Sequence, residues 1–471
     1  MIDEIDIREV RMSLALAGIR EGRYTIPEAE KFFLVTIPSD EYDSKESGFY
    51  FDPKTPDYYG WAKYFVDKNK FFTSNAGAYT YDNDANFYRR ITDLEIQFKL
   101  TQDTANQVKP SHRLNFLKTL QGYSYKEMCI LKNTDGLINL KNGYLNVKTG
   151  ELKSHDSNLF FTYCLPHNYD PKAKSDKWNN FLSEVFKGNE ELKIVAAQIF
   201  GYVLLGGHPW LHQAFVLYGE GRNGKSTFLD MLKELIGTEN YSAVSLGRLG
   251  QPFSVIHIDR KLANIIEETP NDKINAEAFK TAIGGGHLMG SKKYENEYLF
   301  QCNARFIFAC NELPRFSENS VGLHERLYFL PFNTYFEKAR RNGNILNELR
   351  AELPGILNWA LSGLDILLED RRLPDCDASN QILEDYKTES DSVHEWASGC
   401  IIVDLTYSVK TKAKDLYCAY IEDLKNTGRR PVSDMTFFKR FKKYMKSRDD
   451  FDEITFDKRS KTYKSVRRQS N

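Results

Sequence analysis

Short unbroken apolar runs punctuate the middle of this chain, and each stops at a polar residue or a glycine. Ala214-Phe-Val-Leu-Tyr ends at Gly219, Lys261-Leu-Ala-Asn-Ile-Ile at Glu267, and Phe306-Ile-Phe-Ala-Cys at Asn311. A fourth run, Leu-Tyr-Phe-Leu-Pro-Phe, follows Arg326. Runs of that length bounded by turn residues predict buried strands. Helical spacing lies between them, most clearly over 228–236, where it stops at Gly237. Strands alternating with helices across 210–335 predict an α/β core sheet. Residues 178–203 and 348–368 also carry helical spacing, with apolar positions set to bury one face.

The flanks differ from this core. Residues 1–95 are mixed and aromatic-rich, with Gly48-Phe-Tyr-Phe, Tyr58-Tyr-Gly-Trp and Asn69-Lys-Phe-Phe. Residues 136–155 read as short strands joined by turns, and Asp170-Pro-Lys-Ala-Lys-Ser-Asp reads as a linker. Leu373-Pro-Asp-Cys-Asp marks a break. The C-terminal part then predicts a helix over 413–425 ended by Gly428, and a second capped by Ser433 and running through Met445. Two β-type runs close it, around Ile454-Thr-Phe and Thr462-Tyr-Lys-Ser-Val. Helix, helix and basic hairpin resemble a winged helix-turn-helix.

Composition narrows the class. A chain of 471 residues should hold about three domains, and 41% hydrophobic residues suffice for their cores. No apolar run approaches the roughly 18 residues of a membrane span, and the acidic start Met1-Ile-Asp-Glu-Ile-Asp does not suit a signal peptide. Seven scattered cysteines without a C-x-x-C pair point to a reducing compartment and no zinc. Net charge is −1, yet residues 426–471 carry 14 Lys+Arg against 6 Asp+Glu. That asymmetry suits a segment facing nucleic acid, and it also fits a solvated basic face.

The chemistry concentrates after the first core strand. Gly219-Glu-Gly-Arg-Asn-Gly-Lys-Ser-Thr follows a strand, opens a helix and fits G-x-x-x-x-G-K-S, the pattern of a P-loop. The backbone amides of Gly219, Glu220, Gly221, Arg222, Asn223, Gly224 and Thr227 would cradle phosphates at the positive end of that helix. Lys225 would reach the β- and γ-phosphates, and Ser226 would ligate Mg²⁺. The strand ending in Glu267-Glu268 supplies two carboxylates: Glu267 to hold Mg²⁺ through its waters and Glu268 to polarise an attacking water. Taken alone, the pair also fits an exposed acidic strand end. Asn311 suits a sensor of the γ-phosphate, or a turn before Pro314. Arg326, just ahead of a strand, could reach a neighbouring subunit's γ-phosphate as an arginine finger. Arg315 is the alternative.

In these motifs the chain resembles a family. Gly-Glu-Gly-Arg-Asn-Gly-Lys-Ser-Thr, Ile-Ile-Glu-Glu, Phe-Lys-x-x-x-Gly-Gly-Gly, Cys-Asn-Glu-Leu-Pro and Glu-Arg-Leu-x-x-x-Pro-Phe look like a superfamily 3 helicase. More narrowly, they are similar to phage, plasmid and poxvirus-type primase-helicases and to replication proteins of bacterial mobile elements. The resemblance covers about 75–470. It departs at Glu325-Arg326, where the family often has two arginines. It implies an AAA+ P-loop core sheet over 213–372 that binds ATP and Mg²⁺. Around it we expect a mixed α+β accessory domain over 1–172, a helical collar or linker over 173–212 and a winged-helix-like basic domain over 378–471.

The resemblance further implies a hexameric ring that encircles single-stranded DNA, moves 3′ to 5′ and acts in a bacterial host cytoplasm without a membrane. A hairpin within 287–300 would project its tip into the channel, with Lys292, Lys293 and Tyr294 against the DNA backbone. Glu295 and Glu297 lie close by, and an ordinary charged hairpin also fits. In the C-terminal part, Lys439, Arg440 and Lys443 would meet forked or origin DNA. Tyr81-Asp-Asn-Asp, with His112 downstream, resembles the carboxylate pair of a primase, but it reads as a turn between strands. Priming would then come from a separate primase or polymerase. Two other functions compete. An origin-recognising initiator would use the basic C-terminal part. A small-molecule phosphotransferase is disfavoured by Glu268 and by that same basic part.

Overall fold

The computed structural model describes residues 56–468 apart from 75–76, 104–107, 127–133, 269–273, 292–296, 315, 318–319, 338–341, 390–391, 404–409, 427–430, 447, 449–455, 458–461 and 465. The described N-terminal part begins with helix α1 (Tyr58–Asn69) and a three-stranded antiparallel sheet, β1 (Phe72–Ser74), β2 (Gly77–Asp82) and β3 (Phe87–Ile91). Helices α2 (Asp93–Asp103) and α3 (Pro110–Tyr123) follow. Trp61, Phe65, Phe71 and Phe116 form its buried centre. Tyr81-Asp-Asn-Asp is the expected turn: Asp82 Oδ1 accepts the amides of Asp84 (3.1 Å) and Ala85 (3.0 Å), and Asn86 takes a left-handed φ of 60°. The expected strands of 136–155 are the antiparallel meander β4 (Leu137–Leu140), β5 (Gly143–Asn146) and β6 (Leu152–Lys153).

The helical spacing of 178–203 resolves into two helices, α4 (Asp176–Val185) and α5 (Glu190–Leu204). Lys187 and Gly188 take positive φ (52° and 73°), which ends the first. Asn189 Oδ1 then accepts the Leu192 amide and caps the second. The core continues as β7 (Ala214–Tyr218), α6 (Lys225–Ile236), β8 (Tyr241–Ser242), α7 (Pro252–Val255), β9 (Ala263–Ile266) and α8 (Ala276–Ile283). A hairpin, β10 (His287–Gly290) and β11 (Tyr298–Gln301), precedes β12 (Arg305–Cys310), α9 (Val321–His324) and β13 (Leu327–Pro331). Helices α10 (Ile345–Arg350), α11 (Leu353–Asp370) and α12 (Asp377–Glu389) complete it.

Five strands form one parallel sheet in the order β13-β7-β12-β9-β8. Its strands are apolar at successive positions because both faces are covered. Phe215, Leu217, Ile307 and Leu330 face a core shared with the β4–β6 meander, α4, α5, α6 and α11. Val216, Phe306, Phe308 and Phe329 face a second core with α8, the hairpin and α12. Helices α5 and α11 touch backbone to backbone at two glycines. A Cβ on Gly201 would lie 2.4 Å from the Ala360 carbonyl oxygen, and one on Gly363 would lie 2.2 Å from the Ala197 carbonyl carbon. The segment 170–175 is tied down rather than loose, since Asn358 Nδ2 donates to the carbonyls of Asp170 (2.7 Å) and Ala173 (3.0 Å).

The C-terminal part has its own core of Trp396, Tyr420, Phe437 and Phe441. Its order is α13 (Ser392–Cys400), β14 (Ile401–Val403), β15 (Lys410–Lys412), α14 (Ala413–Asn426), α15 (Asp434–Lys446), β16 (Phe456–Asp457), β17 (Thr462–Lys464) and β18 (Val466–Arg468). The chain therefore closes with three short strands, β17 pairing with both β15 and β16 and β18 with β14. No helix among the described residues is long and apolar enough to cross a membrane.

Candidate active site

The register of the sheet assembles the site. Tyr218 of β7 lies opposite Cys310 of β12 and Pro331 of β13, so Gly219, Asn311 and Phe332 leave the sheet at one edge. Ile266 pairs with Phe308 one strand further, which brings Glu267 and Glu268 to the same edge. Ligands of open parallel sheets bind at this carboxyl-terminal edge. Gly219 is required by close approach, since a Cβ there would lie 2.3 Å from the Phe332 carbonyl oxygen. The helix behind the loop is fixed by rings: Phe228 of α6 packs against Phe200, Phe332 and Trp178 at centroid distances of 4.9, 5.5 and 5.9 Å.

Lys225 stands at the first position of α6, 7% exposed. Its Nζ donates to the carbonyls of Gly219 (2.5 Å) and Glu220 (3.1 Å) and to Asn311 Oδ1 (3.1 Å). Two residues separated by 86 positions thus meet at one ammonium. Burial holds the Lys225 pKa below its ordinary value, and an anion placed beside it would offset that desolvation. The neighbouring Cys310 thiol is pushed up to about 12 by burial and forms a neutral wall. Asn223 serves the loop itself: its Nδ2 donates to the Phe332 carbonyl at 2.8 Å. Arg222 Nη1 donates to the Tyr335 hydroxyl at 3.2 Å.

A cavity of about 800 Å³ opens at this edge. The loop and helix start contribute Gly221, Arg222, Asn223, Gly224, Lys225, Ser226 and Thr227, and the strand ends contribute Glu267, Glu268 and Asn311. Gly219 and Glu220 are not in its wall and instead turn their carbonyls to Lys225. Both carboxylates are exposed, and one oxygen of Glu267 is ion-paired with Lys233 of α6. Burial alone would lower the Lys233 pKa, but its bonds to Glu267 and Asp230 outweigh that and raise it. Lys177, Asn180, Phe181, Glu184, Phe336, Asn342 and Ile345 also line the cavity. The sequence reading missed these and Lys233. The lining residues lie far from the loop in sequence, Lys233 lies on the helix that follows it, and no local pattern signals any of them.

The other expected residues lie elsewhere. Arg326 sits at the amino-terminal end of β13, where its carbonyl accepts the Ala214 amide at 2.8 Å and its Nη1 donates to the Gly322 carbonyl. The five residues of β13 separate it from the loop's edge by about 16 Å. Arg315 lies outside the described residues, as do Lys292, Lys293 and Tyr294, although the hairpin that carries them is present, with His287 opposite Gln301 and Gly290 opposite Tyr298. In α15, Phe437, Phe441, Tyr444 and Met445 are buried, Lys439, Lys442 and Lys446 share the exposed face, and Arg440 is half-buried. Lys443 lies on the same helix, its side chain outside the description.

Residues 40–187 match the family described as D5 N terminal like, and 217–326 match a family of unknown function, DUF5906. A putative helicase of Acanthamoeba polyphaga mimivirus, L207/L206, is 22% identical over 279 residues, covering 54% of this chain and 26% of that protein. Over these segments the chain is similar to a D5-type N-terminal region and to a putative viral helicase. The chain spans about a quarter of the length of the mimivirus relative. Two apo structures of the NrS-1 C-terminal region are also similar. One covers 86% of this chain and 98% of its own at TM-score 0.48 and 14% identity. The other covers 83% and 86% at TM-score 0.49 and 13% identity.

Proposed function

We propose that this chain is an ATP-hydrolysing DNA helicase acting in the replication of a phage or mobile genetic element. The observation that carries the reading is the meeting of Lys225 with Asn311, with Glu268 in the same cavity, where three strands of the sheet end. A phosphate cradle alone would serve a kinase equally well. A second acid at a strand end beside Asn311 suits an enzyme that must activate water.

In this reading the loop amides and Lys225 hold the phosphates of ATP, and Asn311 contacts the γ-phosphate and the water. Glu268 accepts the water's proton. Ser226 and Glu267 would hold Mg²⁺, and both line the cavity, so the donor set fits a hard cation with oxygen ligands. When bound, Mg²⁺ neutralises charge on the phosphate oxygens. Glu267 exchanges its Lys233 partner for that role. The five-stranded parallel sheet with the hairpin inserted before β12 supports an AAA+ core of the superfamily 3 kind. The remoteness of Arg326 from its own loop supports a finger acting on the next subunit of a hexameric ring.

The hairpin tip, with Lys292, Lys293 and Tyr294, would follow single-stranded DNA 3′ to 5′, and a separate primase or polymerase would act beside it. The order helix, two strands, helix, helix, strands of the C-terminal part supports a winged-helix domain whose Lys439, Arg440 and Lys443 meet forked DNA. The exposed basic face of α15 also favours a second reading, an initiator that melts a defined origin. A footprint on one sequence that requires 378–471 would support it. The first reading is tested by phosphate release with and without single-stranded DNA. We expect stimulated hydrolysis, abolished by Lys225→Ala, and unchanged turnover in that variant would overturn the site.

A further inference from the structure

Five side chains form a closed circuit between the N-terminal sheet and the base of the β10–β11 hairpin. Tyr79 and Arg90 are cross-strand partners on β2 and β3. The Arg90 guanidinium lies over the ring of Tyr298, 4.3 Å from its centroid. Tyr298 opens β11, and its hydroxyl donates to Asp259 Oδ2 at 2.9 Å. The same oxygen accepts from Arg260 Nε at 3.2 Å. The Arg260 guanidinium lies 5.6 Å from the centroid of the Tyr79 ring, which closes the circuit.

Several details fit a contact built for purpose. Arg90 Nη1 is buried with no hydrogen-bond acceptor among the described residues, as suits a cation held by a ring face. Gly77 leaves the space, since a Cβ there would lie 2.7 Å from Arg90 Nε. Arg260 takes a left-handed φ of 59°, a conformation side-chain-bearing residues rarely adopt. Burial, with the Asp259 charge adding to it, raises the Tyr298 pKa and keeps its hydroxyl a neutral donor. Arg90, Asp259, Arg260 and Tyr298 line a cleft of about 1230 Å³ between the two parts of the chain.

We propose that this double cation–π clasp is the link by which the N-terminal part sets the position of the paired strands of the hairpin, with Arg90 and Arg260 as positioning residues through which the hairpin meets single-stranded DNA. The second half of that statement rests on reading the hairpin as the DNA contact. Two ring faces suit a moving joint, because a cation can slide over a ring without breaking directional hydrogen bonds. Such a joint also loses less to salt than an exposed ion pair does.

The test uses the full chain. Amide hydrogen exchange is followed in peptides covering 287–301, beside ATP hydrolysis with and without single-stranded DNA. Arg90→Leu should speed exchange there by about two- to five-fold, the size of one cation–π contact. Arg90→Lys, which keeps a cation, should fall between. Arg260→Gly removes the second cation at a position where glycine is at ease, so folding is preserved and exchange should again rise. Basal hydrolysis should stay within about two-fold while stimulation by DNA falls by a similar factor to the exchange change. Unchanged exchange in Arg90→Leu and Arg260→Gly would overturn the clasp, and undiminished stimulation with a loosened hairpin would overturn its positioning role. Failure of the helicase reading looks different: the unmutated chain shows no stimulation, while exchange still reports the clasp.

Discussion

Lys225 and Lys233 leave the same helix two turns apart and meet different acceptors: Lys225 the neutral loop carbonyls and the Asn311 amide oxygen, Lys233 the carboxylate of Glu267. That division argues for Glu267 as the exchangeable cation ligand and leaves Glu268 for water. Glu268→Gln should therefore keep nucleotide binding, read by fluorescent-analogue titration, and lose hydrolysis by about 10²–10⁴-fold. A variant hydrolysing at the unmutated rate would remove Glu268 from the chemistry. The loop, the two acids and Asn311 were legible in the sequence because each is local, a glycine pattern or a polar residue ending an apolar run. Lys233 and the cavity wall from α4 were not, because only strand register and helix packing bring them in.

At the scale of elements, the contact of α5 with α11 decides whether the sheet's rear face stays closed. Gly363→Ala would place a methyl group against the Ala197 backbone, and overpacking of this kind costs about 1–3 kcal/mol. Calorimetry should show a lowered unfolding midpoint. Gln198, beside that contact, is 1% exposed and neither amide atom has a hydrogen-bond partner among the described residues. Gln198→Leu should raise the same midpoint, since an unpaired buried amide costs about 1–3 kcal/mol. An unchanged or lower value would mean that the amide is satisfied. The strands of the core sheet were legible as apolar runs, whereas the break between α4 and α5 was not. Apolar spacing runs through both helices, and only the left-handed Lys187 and Gly188 separate them.

At the scale of the molecule, Arg326 and the loop it would serve lie at opposite ends of the sheet, which no single copy can reconcile. Mixing Arg326→Ala with Lys225→Ala, each inactive alone, should restore part of the hydrolysis, because some interfaces then combine an intact loop with an intact arginine. A mixture as inactive as its components would exclude a finger in trans. Which parts of the chain touch was the least legible feature, since the clasp between Arg90 and Tyr298 joins residues with no sequence pattern between them. The central claim, that the cavity at the end of β7 powers strand separation, is tested most directly by unwinding of forked DNA with ATP. The account predicts separation by the unmutated chain, faster on forks with a 3′ tail, and none with Lys225→Ala. Equal separation without ATP, or by Lys225→Ala, would contradict it.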